Sequence, residues 1–320
     1  MKKNIRYLIR QILLMIIPIL GVYRFYRKKN KNKVLVLVYH DVVDSMSDCK
    51  TNHYNYNTTI DKKRFAKQVR YICRHYNPIT LKEFIAWKTS CKKLPDNSVL
   101  FTFDDGHTNL YRNALPVLDR HGIKGVFFCK SACMGEVAMN YCEDYLSYIY
   151  SIEECKKQYN LFRNSTFDRQ IDMINSFKGK PRYDSPNKSK YEHFTIQECL
   201  SMLQNGHSIQ SHTIHHYILS SLNDADAETE IRQSREDLAR ILQHEVNCIA
   251  YPFGDPEYDF GLREKAMAKS HGYILGFSGE RCNNNGVDKQ EDNFSISRFG
   301  DVNHDFLYFK LLLSPVRLVK

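Results

Sequence analysis

Two rhythms of apolar and polar positions alternate along the chain. Runs such as "KVLVLVYH" (33–40), "SVLFTF" (98–103) and "IKGVFFCK" (123–130) are almost wholly apolar and rich in Val and Phe. They predict strands buried on both faces, as in a parallel sheet. Between them, "DKKRFAKQVRYICRHY" (61–76) spaces Phe65, Val69, Ile72 and Tyr76 three or four apart, the period of one helix face. "TLKEFIAWK" (80–88) predicts a shorter helix with a capping box from Thr80 and Glu83. A helix over 109–122 stops at Gly122. Helix and strand recur over 195–212, over 227–254 and, around Gly272, over 257–279. "NFSISRFG" (293–300) adds a last strand and "DFLYFKLLLSPVRL" (305–318) a terminal helix.

About seven strand–helix units predict a parallel α/β fold, closed or nearly closed into a barrel. Residues 134–193 break the rhythm: 143–159 look helical and 178–193 look like a polar loop. The insertion follows a predicted strand, where barrel loops shape substrate pockets, but surface decoration fits the pattern equally. The chain therefore divides into a segment over 1–33 and one α/β domain over 34–320.

The net charge of +10 belongs to the first of these. Of 46 Lys and Arg, ten lie in residues 1–33 and no acid does, so residues 34–320 carry 36 bases against 36 acids. A neutral body excludes a nucleic-acid binder, which carries its basic face on the folded domain. Between Arg10 and Arg24 run thirteen uncharged residues, "QILLMIIPILGVY". As a helix they span about 20 Å against a ~30 Å hydrocarbon core, and Pro18 would kink them. No small-residue cleavage site follows, so a cleaved leader is not expected. Flanking bases predict an in-plane or re-entrant anchor on an anionic cytoplasmic leaflet, with a snorkelling single pass as the alternative. Ten cysteines without a C-x-x-C pair are expected as reduced, mostly buried thiols.

Three polar clusters fall at predicted strand ends: Asp104-Asp105-Gly106, "SHTIHH" with His212 and His216, and "AYPFG" with Pro252 and Gly254. Two imidazoles and one carboxylate are a three-ligand set for Zn²⁺ or a similar ion, and three ligands leave a position open for catalysis. A second carboxylate beside it can serve as base, which points to metal-assisted hydrolysis of an amide or ester. His215 competes with His216 as a ligand.

At these residues the sequence resembles the polysaccharide deacetylases that share the NodB homology domain (carbohydrate esterase family four). "TFDDG" matches the first motif of that family and "SHTIHHYIL" the second, and the resemblance spans roughly 34–300. It implies a distorted (β/α) barrel of seven or eight strands. It implies Asp104 as general base and Asp105, His212 and His216 as ligands of a divalent metal, Zn²⁺ first and Co²⁺ second. The third motif ends in Pro252, Phe253 and Gly254, so the Phe253 N–H is expected in the oxyanion hole. The chain departs from the family where the third motif opens, with Ala250 in place of an arginine. It lacks the fourth motif's Asp-Trp, Trp87 being its only tryptophan, and "DVNHD" with His304 is no clean match to the late Leu-x-His. "LVYHDV" resembles the branch of poly-N-acetylglucosamine deacetylases in which a Tyr-His supplies the acid. His40 is then the expected acid, and Arg298 the expected replacement for the missing arginine.

The function expected is removal of acetyl groups from N-acetylated sugars of a polysaccharide or lipid-linked saccharide, at the cytoplasmic face of the inner membrane. The partners expected are that glycan and, through residues 1–33, the membrane surface. An O-acetyl esterase of the same fold and a non-catalytic glycan-binding module are the rivals.

Overall fold

The computed structural model describes residues 21–46, 58–90, 92–136, 138, 140–146, 152–177, 180, 191–281, 286–300, 306, 309, 310 and 313. The apolar segment up to residue 20, His304, Cys49, Cys91, Cys282 and most of the predicted terminal helix lie outside these residues. Among the described residues no helix is long and apolar enough to cross a membrane.

The elements begin with α1 (Val22–Lys29), β1 (Leu35–Tyr39), β2 (Asp41–Val43), β3 (Thr59–Asp61), α2 (Lys62–His75), β4 (Asn77–Pro78), α3 (Leu81–Thr89) and β5 (Ser98–Phe103). They continue with α4 (Leu115–Arg120), β6 (Val126–Cys129) and three helices of the insertion, α5 (Tyr141–Leu146), α6 (Ile152–Arg163) and α7 (Phe167–Asn175). Then come α8 (Ile196–Gln204), β7 (Ser208–Ser211), α9 (Asp224–Leu242), β8 (Cys248–Ala250), α10 (Leu262–Ser270), β9 (Leu275–Arg281) and β10 (Ile296–Arg298). The expected capping box at Thr80 and Glu83 forms, and Gly122 and Gly272 take the left-handed conformations that stop their helices. The helix expected over 109–122 begins instead with a wide π-type turn over Leu110–Ala114. Pro116 has no N–H to give the regular i→i−4 bond there.

Seven strands run parallel in the order β1-β5-β6-β7-β8-β9-β10, and β4 adds a short pairing to β5. The ends of that path meet. The Val38 N–H donates to the Phe299 carbonyl (2.9 Å) and the Phe299 N–H to the Val36 carbonyl (2.7 Å). The result is the nearly closed α/β barrel that the rhythm predicted.

Strand side chains alternate in direction, and the two sets build two cores. Val36, Leu100, Val126, Phe128, Cys248, Ala250, Leu275, Phe277 and Ile296 form one cluster, the barrel interior, with Phe84 and Trp87 of α3 packed against it. The alternate residues Leu37, Phe101, Phe103, Phe127, Ile209 and Ile249 pack outward with the helices. Asp104 has the parity of Leu100 and Thr102, so it continues the interior row beyond the end of β5.

The loop after β8 is set by contact between two backbones. The Gly279 N–H donates to the Gly254 carbonyl (2.7 Å). A Cβ on Gly254 would lie 2.2 Å from the Gly279 nitrogen, and its φ is +80°. Gly254→Ala is therefore expected to lose about 1–3 kcal/mol through overpacking of a site that cannot yield. Urea unfolding checks it, and an unchanged midpoint would refute the close-approach account.

Candidate active site

Asp104 and Asp105 sit where β5 ends, and they diverge. The Asp104 N–H still donates to the Tyr39 carbonyl (2.9 Å). Asp105 (φ +71°) and Gly106 (φ +71°) are both left-handed and turn the chain away. Asp104 stays in the barrel interior, 2% exposed, where Arg298 meets it in a two-pronged pair: Nη1 to Oδ1 and Nη2 to Oδ2, both 2.7 Å. Arg298 also donates from Nε to the Ser278 carbonyl (2.8 Å) and lies over the Phe128 ring. The register between β9 and β10 shifts between Ile296 and Arg298, an irregularity of the kind that re-aims a side chain.

Asp105 turns toward the histidines. Its Oδ1 lies 3.3 Å from His216 Nε2 and 3.7 Å from His212 Nε2. These two imidazoles come from a turn after β7, and no helix forms there. Thr213 (φ +64°) and His216 (φ +65°) are left-handed, which brings His212 and His216 onto one side. His215 points away, half-exposed and bonded to Glu230, so it is separated from the set. Asp105, Thr213, His216 and Phe253 (φ +60°) are four of the six non-glycine residues with positive φ among the described residues. Such conformations cost roughly 1–3 kcal/mol each and persist where the surroundings impose them.

The donor set fits a divalent metal. The potential ligand atoms of Asp105, His212 and His216 lie within 4.8 Å of one another, and all three residues are buried. His212 donates from Nδ1 to the Ala250 carbonyl (2.7 Å), which leaves Nε2 with its lone pair toward Asp105. His216 Nδ1 is buried without a partner among the described residues. Burial lowers the pKa of both imidazoles, against the pull of the nearby aspartates, so both are neutral and able to ligate. Burial alone would raise the Asp105 carboxyl, but His216, His107 and Lys130 outweigh it and hold it well below the usual range. For Asp104 burial again acts upward, and Arg298 first among the neighbouring charges reverses it.

The remaining expected residues line the same place. His40 is partly exposed, with Nε2 3.9 Å from Asp104 Oδ2. The Phe253 ring lies against His216 (5.1 Å between centroids), and among the described residues nothing accepts from its N–H. The insertion forms a wall here. Its two ends pair with each other, Gly135 N–H to the Phe194 carbonyl and His193 N–H to the Glu136 carbonyl. The Phe194 N–H then donates to the Gly106 carbonyl (2.9 Å), which seats the insertion on the Asp-Asp-Gly turn. Tyr141 and Tyr159 pack on Phe253, and Asn140 Nδ2 reaches Asp105 Oδ1 at 3.4 Å. Arg163 pairs in two-pronged fashion with buried Asp259 (2.7 Å each) and so ties α6 to the loop that follows Phe253.

A family profile described as polysaccharide deacetylase matches residues 92–274, more than half of the chain. The chain belongs to the polysaccharide deacetylase family. A poly-beta-1,6-N-acetyl-D-glucosamine N-deacetylase of Staphylococcus aureus (strain MSSA476) is 29% identical over 272 residues, covering 78% of this chain and 79% of that one. YxkH of Bacillus subtilis (strain 168), named for the same family, is 23% identical over 249 residues; the match covers 78% of this chain but only 65% of YxkH. Among solved structures, IcaB from Ammonifex degensii superposes with a TM-score of 0.62 at 18% identity, over 88% of this chain and 96% of that one. The Streptococcus pyogenes deacetylase PplD in complex with acetate does so with 0.58 at 18%, over 83% and 91%. These two share the fold.

In this chain the position opening the third motif holds Ala250, whose carbonyl orients His212. The guanidinium on Asp104 comes from another strand. Sequence reasoning missed Asn140, Lys130, Arg163 and Glu230. Lys130 alone carried a signal, a lysine closing the apolar run of β6 at the carboxyl end of a strand. It is buried and donates to Asn140 Oδ1.

Removing Arg298 leaves a buried carboxylate alone, so Arg298→Met is expected to cost about 3–5 kcal/mol. The lowered pKa of Asp104 means that its ionisation stabilises the fold above the unfolded value of ~3.9 and ceases to do so as pH falls through the folded value. In Arg298→Met burial acts without its main counterweight and raises the folded pKa of Asp104, so the deficit relative to wild type is largest near neutral pH and shrinks as pH falls. Urea unfolding from about pH 3 to about pH 7 tests both points. Equal stability and equal acid sensitivity would contradict the assignment.

Proposed function

We propose that this chain removes acetyl groups from an N-acetylated sugar of a polysaccharide or lipid-linked saccharide. The observation that carries this reading is the buried Asp104, held ionised by Arg298, beside a buried Asp105–His212–His216 set in a polysaccharide deacetylase. The N-deacetylase relative from Staphylococcus aureus supports an N-acetylglucosamine polymer as the substrate class.

Asp105, His212 and His216 hold a divalent ion in this reading, Zn²⁺ first and Co²⁺ as the alternative. Such an ion would polarise the acetamide carbonyl and acidify a water, which matters because the Arg298 pair leaves Asp104 a weak base. Asp104 takes the proton of the attacking water, and its rigid pairing fixes where its oxygens stand. The Phe253 N–H, free of other acceptors among the described residues, donates to the developing oxyanion. His40, at the open side of Asp104, protonates the departing amine. Tyr141, Tyr159 and Phe253 give the mouth an aromatic wall on which a sugar ring can rest.

The basic, apolar segment over residues 1–33 supports an activity at a membrane surface, in our reading the cytoplasmic face of the inner membrane. Deleting residues 1–33 is expected to move a fluorescent fusion from the membrane fraction to the soluble one; undiminished membrane recovery would sink this placement.

Acetate release from N-acetylated saccharides with added Zn²⁺ or Co²⁺ tests the reaction. Asp104→Asn is expected to reduce turnover by about 10²–10⁴-fold. Equal release by both proteins would remove Asp104 as the base. His40→Ala is expected to impair acetamides far more than acetate esters, since an alkoxide leaves with less help than an amine. Comparable effects on both would remove His40 as the acid.

A further inference from the structure

Both oxygens of one buried carboxylate are engaged by the turn between His212 and His216. Glu230, on α9, is 4% exposed. Its Oε2 accepts from the backbone N–H groups of Ile214 (2.9 Å) and His215 (3.0 Å). Its Oε1 accepts from His215 Nδ1 (2.6 Å). The two N–H groups converge because the turn is left-handed at Thr213 and again at His216. A β-branched residue such as Thr213 disfavours that region on its own, so something outside the turn must hold it there.

The other bonds to this turn are neutral. Ser131 N–H donates to the Thr213 carbonyl (3.1 Å), Ala132 N–H to the Ile214 carbonyl (3.3 Å) and His216 N–H to Thr213 Oγ1 (3.1 Å). Charge-assisted bonds are roughly twice as strong as these. Glu230 therefore supplies the firmest fixing of the segment that sets the separation of the two imidazoles.

We propose that Glu230 is a positioning residue for the metal-ligating set. It clasps the backbone at Ile214 and His215 and thereby aims His216 Nε2 at Asp105. This rests on the reading of Asp105, His212 and His216 as metal ligands. Residues one shell removed from a metal typically change its affinity by about 10–100-fold when altered.

The test is Zn²⁺ affinity of the full chain, measured by competition with a chromophoric chelator, together with the Tm of each metal-free variant. Glu230→Ala should fold, because a cleft of about 610 Å³ lined by Ser131, His215, Glu230 and Gln233 admits water to the freed N–H groups. It is expected to weaken Zn²⁺ binding about tenfold or more. Glu230→Gln keeps an acceptor for both N–H groups, and His215→Ala leaves the backbone clasp untouched. His215→Ala is expected to stay within about threefold of wild type, and Glu230→Gln, which loses the charge assistance, to fall between wild type and Glu230→Ala, which separates the clasp from the imidazole contact. Should Glu230→Ala not fold, Glu230→Asp carries the comparison, its shorter reach weakening Zn²⁺ by about threefold or more. A lower Tm with unchanged Zn²⁺ affinity would show a merely structural cap and overturn the proposal. Wild-type protein that binds no Zn²⁺ would instead overturn the metal reading on which it rests.

Discussion

The ion pair between Asp104 and Arg298 organises the interior of this barrel. Two charges, each 2% exposed, stand in the row that is otherwise filled by Val36, Leu100, Phe128 and Phe277. Burying them is tolerable only because the guanidinium meets both carboxylate oxygens and sends its remaining nitrogen to the Ser278 carbonyl. Strand closure, the shift between β9 and β10 and the placement of Asp104 at the end of β5 all serve that meeting. A pair of this kind is weak evidence for stability, since apolar side chains would fill the space as well. Its physical consequence is a carboxylate that stays ionised in a fixed orientation, which is what a base beside a reacting water needs.

Around this pair the site is made of strained backbone held by close contacts. Asp105, Thr213, His216 and Phe253 each adopt a left-handed conformation uncommon outside glycine, and Thr213 and Phe253 have side chains that disfavour it. Each is over-determined from outside: Asp105 beside Gly106 and the returning Phe194, the histidine turn by Glu230, and Phe253 by the approach of Gly254 to Gly279. The strain thus gathers at the candidate site, and packing elsewhere in the barrel supplies the stability that sustains it.

The insertion belongs to this arrangement. Its ends pair beside the Asp-Asp-Gly turn, its aromatic residues cover Phe253, and Arg163 anchors it to Asp259. Of the two readings open for residues 134–193, these contacts of its described residues favour the pocket wall.

Much of this protein was legible in its sequence. Apolar runs of Val and Phe predict buried strands, because only a sheet covered on both faces tolerates them. Their alternation with helical periods predicts the parallel barrel. The strand-end position of Asp104, Asp105, His212 and His216 marked the candidate site, because a barrel gathers its strand ends at one face. Residue pattern alone could not say how the neighbouring aspartates divide, since that depends on φ at Asp105 and Gly106; the division came from the family resemblance. Nor could spacing choose between His215 and His216, which differ by one residue in a turn without a period; the family resemblance singled out His216. Arg298 was nameable as a candidate, but only the closed barrel brings β10 across to Asp104. Glu230, Asn140 and Arg163 carry no local signal at all. Local pattern determines elements, because burial and backbone geometry act over a few residues; tertiary structure decides partners, because a charge finds its counter-charge wherever the fold delivers it.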